Sequence, residues 1–280
     1  MTLDPRTNAY RPDIADARLK GQVTASRFVE GMPRRVVADA APIKSTPAAD
    51  ASLASEALRG EIFTVFDETP GGWSWGQLQT DGYVGYVPTG ALGPIAPEPT
   101  HRVTALRAFL YPDPDMKLPV AGVLSFASRV ALYGEVTTRG TVYRLLADGK
   151  GAVVAGQVAP LDTPPDNDFV AAAERFLNVA YLWGGRTSLG LDCSALVQLS
   201  LAAAGVSAPR DTDMQEQALG AAIEGASRRG DLVFWKGHVG ILIDGENLLH
   251  ATGHAMAVVI EPLAEVVARA GQPTSVRRLV

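Results

Sequence analysis

The chain has one cysteine, Cys193, and four histidines, His101, His238, His250 and His254. A thiol attacks a carbonyl as its thiolate, and it needs a base within hydrogen-bond reach, normally a histidine. Cys193 lies in the run Asp192-Cys193-Ser194-Ala195-Leu196-Val197-Gln198, shortly after Tyr181-Leu182-Trp183-Gly184-Gly185-Arg186. The pattern predicts that Cys193 sits on the first turn of a helix, just past a glycine-rich loop. Unpaired N–H groups and the helix dipole there favour the thiolate, so alkylation of Cys193 should outpace that of a free thiol near neutral pH. His238 follows Gly230-Asp231-Leu232-Val233-Phe234-Trp235-Lys236-Gly237 and opens the run Val239-Gly240-Ile241; His250 stands in Leu248-Leu249-His250-Ala251. Adjacent antiparallel strands bring two such side chains onto one face. The three residues then supply a nucleophile, a base and a group that orients the base. Taken singly, the cysteine reads as a small buried hydrophobe and each histidine as a satisfied structural residue.

The elements that must position these groups are legible after Pro164-Pro165. Asn167 or Asp168 caps a predicted helix with Phe169, Val170, Ala173, Phe176 and Leu177 on one stripe. A second helix is expected from about Cys193 to Ala204, with Leu196, Val197 and Leu201 inward and Gly205 as its stop. Strands are expected at 231–235, 239–244, 247–252 and 257–261, with Asp244-Gly245 as a tight turn and a short helix after Pro262. Helices followed by an antiparallel meander define an α+β architecture. Ahead of this lie a predicted helix in residues 1–33 (Ile14, Ala17, Leu19, Val23), then short β-type runs from Arg34 to about Leu161. At an offset of 67, Arg35-Val36-x-Ala38 returns as Arg102-Val103-x-Ala105, Leu78 as Leu145, and Asp81-Gly82 as Asp148-Gly149. Ile43, Phe63 and Val65 return as Leu110, Val130 and Leu132, which suggests two similar β-units. The run 159–166 reads as a proline-rich linker.

Composition excludes several classes. The chain of 280 residues carries a formal charge of -5, with 30 acidic against 25 basic residues, and has no Lys/Arg block, so nucleic acid and membrane surfaces are not expected partners. One cysteine forms neither an internal disulfide nor a multi-thiolate zinc site, no metal cluster or cofactor is expected, and Gly184-Gly185 lacks the lysine of a nucleotide loop. No obligate protein partner is evident. The first twenty residues lack the apolar core of a signal peptide, and the expected location is the cytoplasm.

The ordered motifs Tyr-x-Trp-Gly-Gly, Asp-Cys-Ser-x-Leu-Val-Gln, Gly-Asp-Leu-Val-Phe, His-Val-Gly-Ile and Leu-His-Ala resemble the NlpC family of papain-like bacterial cysteine peptidases over about residues 165–265. The resemblance implies Cys193 as nucleophile, His238 as base and His250 as its orienting partner, with a peptidoglycan stem peptide cut between γ-D-glutamate and a diamino acid. The family usually has glycine where this chain has Ala195, a change that a helix position should tolerate. Tyr181 either packs on the glycine turn or, by the resemblance, helps the Cys193 N–H stabilise the oxyanion. Asp192 caps the helix, binds a substrate ammonium, or both. Trp183 and Ser194, within the same motifs, count among the substrate-contacting candidates. Arg210 meets a substrate carboxylate or pairs locally with Asp211 or Asp213.

The front of the chain resembles bacterial SH3-like modules through Glu56-x-Leu58-x-Gly60-Glu61, Trp73-x-Trp75 and Asp81-Gly82-Tyr83-Val84-Gly85-Tyr86-Val87. Such modules ahead of this catalytic domain are similar to dipeptidyl-peptidase VI-type enzymes that recycle murein peptides. The resemblance makes Glu56 and Tyr83 or Tyr86 candidates for the amino-end pocket; otherwise they are a solvated acid and core aromatics. The expected organisation is thus a helical segment (1–33), two small SH3-like β-barrels (34–97 and 98–160) and an α+β papain-like domain (161–280). The expected function is cleavage of stem peptides with a free N-terminal L-Ala; a fragment-binding protein, or an amidase or acyltransferase on the same scaffold, is the alternative.

Overall fold

The structure is a computed structural model that describes residues 3–279. Its contacts divide the chain into two units, the first ending at Thr163 and the second beginning at Pro164. The helix expected in residues 1–33 does not form. Ala15–Asp16 is instead a short strand paired in parallel with Phe28–Val29, followed by a single 3-10 turn, Ala17–Leu19. Two local features override the helical spacing. Ile14 is drawn into a cluster with Ala9, Phe66 and Trp75, and the Asp16 carboxylate caps the turn through the Arg18 N–H while Lys20 is already extended.

Seven strands between Met32 and Gly93 form one antiparallel sheet around Val36, Ile43, Phe63, Val65, Leu78 and Val87. Residues 101–160 repeat the pattern. As 32–36 pairs with 62–68 and 92–93, so 101–103 pairs with 129–130 and 158–160. Likewise 40–44 with 53–58 matches 107–110 with 122–125, and 62–68, 73–78 and 84–88 match 132–138, 141–146 and 152–154. The sequence pairs Val36/Val103, Ile43/Leu110, Phe63/Val130 and Val65/Leu132 all lie in the respective cores. Leu78 departs: its counterpart Leu145 is half-buried, and Leu146 fills the core position. Gly82 and Gly149, both with φ above 70°, occupy the matching hairpin turns, where a residue with a Cβ would be strained. The linker is shorter than expected, because Val158–Pro160 is a strand; the exposed run begins at Pro160.

In the second unit, α1 (Phe169–Glu174) starts at Asp168, whose carboxylate accepts the Val170 and Ala171 N–H groups. It is shorter than its apolar stripe, and Leu177 beyond it is exposed while Phe176 is fully buried. Helix α2 (Cys193–Ala203) follows Asp192, with Leu196, Val197 and Leu201 buried and Gly205 at φ 75° behind its end. A short helix α3 (Thr212–Ala218) was not anticipated. Six antiparallel strands run in the order 221–222, 275–278, 232–235, 238–242, 247–252, 257–262. Helix α4 (Leu263–Ala270) follows Pro262 and packs Val266 into a cluster with Val233, Trp235, Leu242 and Leu248. Among the described residues, no helix is long and apolar enough to cross a membrane.

Candidate active site

Cys193 is the first residue of α2 because Asp192 caps that helix, accepting the Ala195 N–H at 2.9 Å. The cap is more than local. Both Asp192 oxygens are held by Arg210 (Nη1–Oδ1 2.9 Å, Nη2–Oδ2 2.8 Å), Oδ2 also accepts the Gly184 N–H, and Oδ1 the Ser194 hydroxyl. Arg210 is 1% exposed and also donates to Ser194 Oγ and the Gly185 carbonyl. Arg210 is thus paired bidentately with a buried partner eighteen residues away. This clamp ties the glycine loop, the helix start and the 210 segment together at the nucleophile. It also gives Asp192 a full set of donors and a balancing cation, so its pull on a substrate ammonium is weaker than that of a bare carboxylate.

Further contacts complete the scaffold. Arg186 Nε donates to Gln198 Oε1 at 2.6 Å, and Gln198 reaches the Ala208 carbonyl. Gln215 on α3, fully buried, donates to the carbonyls of Ser194 and Pro209. Ala195, where the family pattern has glycine, is fully buried in the helix, and its methyl group is accommodated. Trp183 is 68% exposed beside this loop and lies open to a ligand.

The histidines meet as the strand pairing requires. Register Ile241↔Leu249 sets His238 and His250 diagonally across neighbouring strands, and His238 Nε2 lies 2.8 Å from His250 Nδ1. The Trp235 ring packs against His238 at 5.9 Å between centroids. Beyond His250 the chain of contacts continues: His250 Nε2 lies 2.8 Å from Glu261 Oε2, and Arg269 on α4 grips both Glu261 oxygens at 3.1 and 2.9 Å. Neither Glu261 nor Arg269 belongs to a recognisable motif. The available signal was the period-2 pattern, which sets Glu261 opposite Leu248 and so beside His250 on one face.

Electrostatics correct the expectation for the resting thiol. Burial pushes the Cys193 thiol up to about 12, and the neighbouring Asp192 charge adds to that; the N–H groups of Val239 and Ser194 and the Arg210 charge oppose it. Burial, with His250 and Arg269, brings His238 down to about 4. The resting pair is thus a neutral thiol and a neutral imidazole, because removing the helix start from water outweighs its dipole. A neutral thiol beside a neutral imidazole is suited to general-base chemistry, in which the thiol gives up its proton as sulfur attacks a carbonyl. With Nε2 engaged by His250, Nδ1 is the His238 nitrogen left to accept a proton. Tyr181 is pushed up to about 12 by burial and the nearby Cys193, so its hydroxyl stays protonated and able to donate to an oxyanion.

The remaining candidates lie in the first unit. Tyr83 is 7% exposed and belongs to its core, Tyr86 takes a hydrogen bond from Arg11 at 2.8 Å, and Glu56 is half-buried on the 53–58 strand. His101, beside Thr100, also lies in this unit. Among the described residues no cluster of side chains is suited to hold a metal ion.

A buried cysteine at a helix start, packed on a sheet that carries a histidine pair, is the arrangement of papain-like cysteine hydrolases. Residues 178–271 match the model of the NlpC/P60 family, and residues 44–92 that of the bacterial dipeptidyl-peptidase Sh3 domain. The chain thus carries a bacterial SH3 domain and, behind it, an NlpC/P60 domain, and it is a cysteine peptidase. It is 29% identical over 239 residues to the gamma-D-glutamyl-L-lysine dipeptidyl-peptidase of Bacillus cereus, covering 75% of this chain and 71% of that one. The enzyme of the same name from Bacillus subtilis is 32% identical over 108 residues, only 36% of either chain. The crystal structure of an NlpC/P60 family protein from Bacillus cereus shares the fold, with a TM-score of 0.74 over 88% of this chain and 99% of that one at 23% identity.

Proposed function

We propose that the protein hydrolyses the amide bond between γ-D-glutamate and a diamino acid in peptidoglycan stem peptides that carry a free N-terminal L-Ala, and that it acts in murein peptide recycling in the cytoplasm. The observation that carries this reading is Cys193 at the start of α2 with the His238–His250 pair on the neighbouring sheet. The names of the two Bacillus relatives support the bond and the dipeptidyl product. In this reading Cys193 forms a thioester with the γ-carboxyl of D-glutamate, His238 passes its proton to the departing amine, and water then releases L-Ala-γ-D-Glu. Tyr181 and the Cys193 N–H hold the oxyanion. Asp192, Ser194 and Trp183 line the amino end, with Arg210 behind Asp192. Because Arg210 balances that carboxylate, a free ammonium should gain about tenfold in kcat/KM from it, the low end for a charge-assisted contact of roughly 1.5 kcal/mol. The repeated strand pairing within residues 98–160 further supports reading them as a second SH3-like module, between a first at 34–97 and the peptidase domain at 161–280.

The test is a competition between L-Ala-γ-D-Glu-L-Lys and its N-acetylated form, followed by mass spectrometry. Release of L-Ala-γ-D-Glu, with the acetylated peptide cut at least tenfold more slowly, is expected. Equal rates remove the recycling reading, efficient digestion of intact sacculi indicates a wall hydrolase, and binding without turnover indicates a fragment-binding protein.

A further inference from the structure

Two neutral imidazoles in contact admit two arrangements, and only one is useful. If His238 carries its proton on Nε2 and donates it to His250 Nδ1, its own Nδ1 is a bare base. If His250 carries the proton on Nδ1 and donates it to His238 Nε2, then Nδ1 of His238 is protonated and has no lone pair for the thiol. The 2.8 Å contact between the rings accommodates either. What distinguishes them is the far side of His250, where Nε2 meets the Glu261 carboxylate at 2.8 Å. A carboxylate there accepts an N–H and repels a bare nitrogen lone pair.

We propose that Glu261 and Arg269 are positioning residues for catalysis: Glu261 selects the Nε2–H tautomer of His250 and thereby of His238, and Arg269 keeps that carboxylate ionised and in plane. Arg269 is placed to do so by the turn at Pro262 and two turns of α4, which bring its guanidinium onto both Glu261 oxygens. The Glu261 carboxyl is held below its ordinary value by Arg269 first and His250 after it. The charged and titratable groups bearing on the histidine pair come from several elements. They are His238 and His250 on their strands, His254 at the following turn, Glu261 on the 257–262 strand, and Arg269 on α4, while Cys193 on α2 lies against the 238–242 strand at the Val239 N–H. Glu261 favours a cationic histidine pair and Arg269 disfavours it, so the two halves of the ion pair bear on the base with opposite sign. The inference rests on the cysteine-peptidase reading, with His238 as base.

Two measurements test it. The first needs no turnover: long-range 15N–1H NMR of the histidine rings in the whole protein at pH 7 reads the tautomers. Wild type should show Nε2–H on both His238 and His250, and Glu261→Gln should populate Nδ1–H on His250. A wild-type His250 protonated at Nδ1, or tautomers unchanged in the variant, overturns the proposal. The second is the pH profile of kcat and KM with L-Ala-γ-D-Glu-L-Lys. Glu261→Gln should lower kcat about 10–100-fold, the usual cost of losing a partner that orients a functional histidine, with KM within threefold. Its acid limb should move to lower pH, while Arg269→Gln should move that limb to higher pH and Arg269→Lys restore it. Limbs that shift together, or kcat within twofold of wild type in Glu261→Gln, reduce the pair to structural support and overturn the proposal. If wild type leaves this peptide uncut, the substrate reading fails, and the NMR result still decides the proposal.

Discussion

Replacing Asp192 by asparagine tests the clamp at the head of α2. Asparagine is itself a good cap, so the Ala195 N–H keeps an acceptor. The Gly184 N–H and one Arg210 nitrogen instead face an NH2 group, and the Arg210 guanidinium, 1% exposed, is left without its anion. Breaking a buried pair by removing one partner costs about 3–5 kcal/mol, far above the value of a surface ion pair. At roughly 3–5 °C per kcal/mol for a domain of this size, the melting transition should fall by about 10–20 °C. Differential scanning calorimetry reads this, and a double-mutant cycle isolates the pair. Asp192→Asn with Arg210→Met removes both charges and should recover about 2 kcal/mol relative to the sum of the single changes. A loss under about 1 kcal/mol for Asp192→Asn, or no recovery in the double variant, would refute the buried-clamp reasoning. The same variant is then a poor isolated probe of ammonium recognition, because its first effect is on the fold.

The other predictions concern the reacting groups. Cys193→Ser should abolish hydrolysis and leave the melting temperature within a few degrees, and Cys193 in the resting enzyme should react with iodoacetamide more slowly than free cysteine at pH 7, accelerating as pH rises; labelling faster than free cysteine would contradict a thiol near 12. His238→Ala should remove activity to background, whereas His250→Ala should leave more residual rate, since it orients the base without carrying the proton to product; equal, negligible effects would dissolve the assignment. His238 is brought down to about 4 and His250 is also lowered, while the unfolded chain takes up those protons near 6.5. Their contribution to stability is complete above pH 6.5 and is lost as pH falls toward 4. Thermal denaturation at pH 7 and pH 5 should therefore show a drop that shrinks in His238→Asn, and an undiminished drop in that variant would assign acid sensitivity elsewhere.

The parts of the site that sequence displays are contiguous ones. Asp192-Cys193-Ser194 announces a capped helix start, and His238 and His250 sit on strands whose alternation is visible, so the placement of both is legible in the sequence. The partner of Arg210 was not legible, because bidentate pairing with Asp192 depends on how two distant loops meet. Glu261 and Arg269 stayed hidden for the same reason: an acidic residue ending a strand and a basic one near a helix end look like ordinary surface chemistry. The Cys193 thiol shifts opposite to what its helix start suggests, because a helix start favours a thiolate only while water still reaches it, and here the thiol is buried. In the front unit the 67-residue recurrence marked the core pairs Val36/Val103, Ile43/Leu110, Phe63/Val130 and Val65/Leu132 but missed at Leu145, where Leu146 is the buried residue, since buried aliphatics recur only where the same strands keep the same register. The helix expected around Ile14 does not form because a side chain drawn into the Phe66–Trp75 cluster outweighs weak periodicity over a short segment.

The central claim is that Cys193 carries the dipeptidyl group of the substrate. Intact-protein mass spectrometry after rapid acid quench of enzyme mixed with L-Ala-γ-D-Glu-L-Lys reads this directly, with peptide mapping to locate the adduct. The account predicts a transient L-Ala-γ-D-Glu thioester on Cys193 that appears before the dipeptide product and is absent from Cys193→Ala, which also fails to turn over. Dipeptide release undiminished in Cys193→Ala, or an adduct mapped to any other residue, would contradict it.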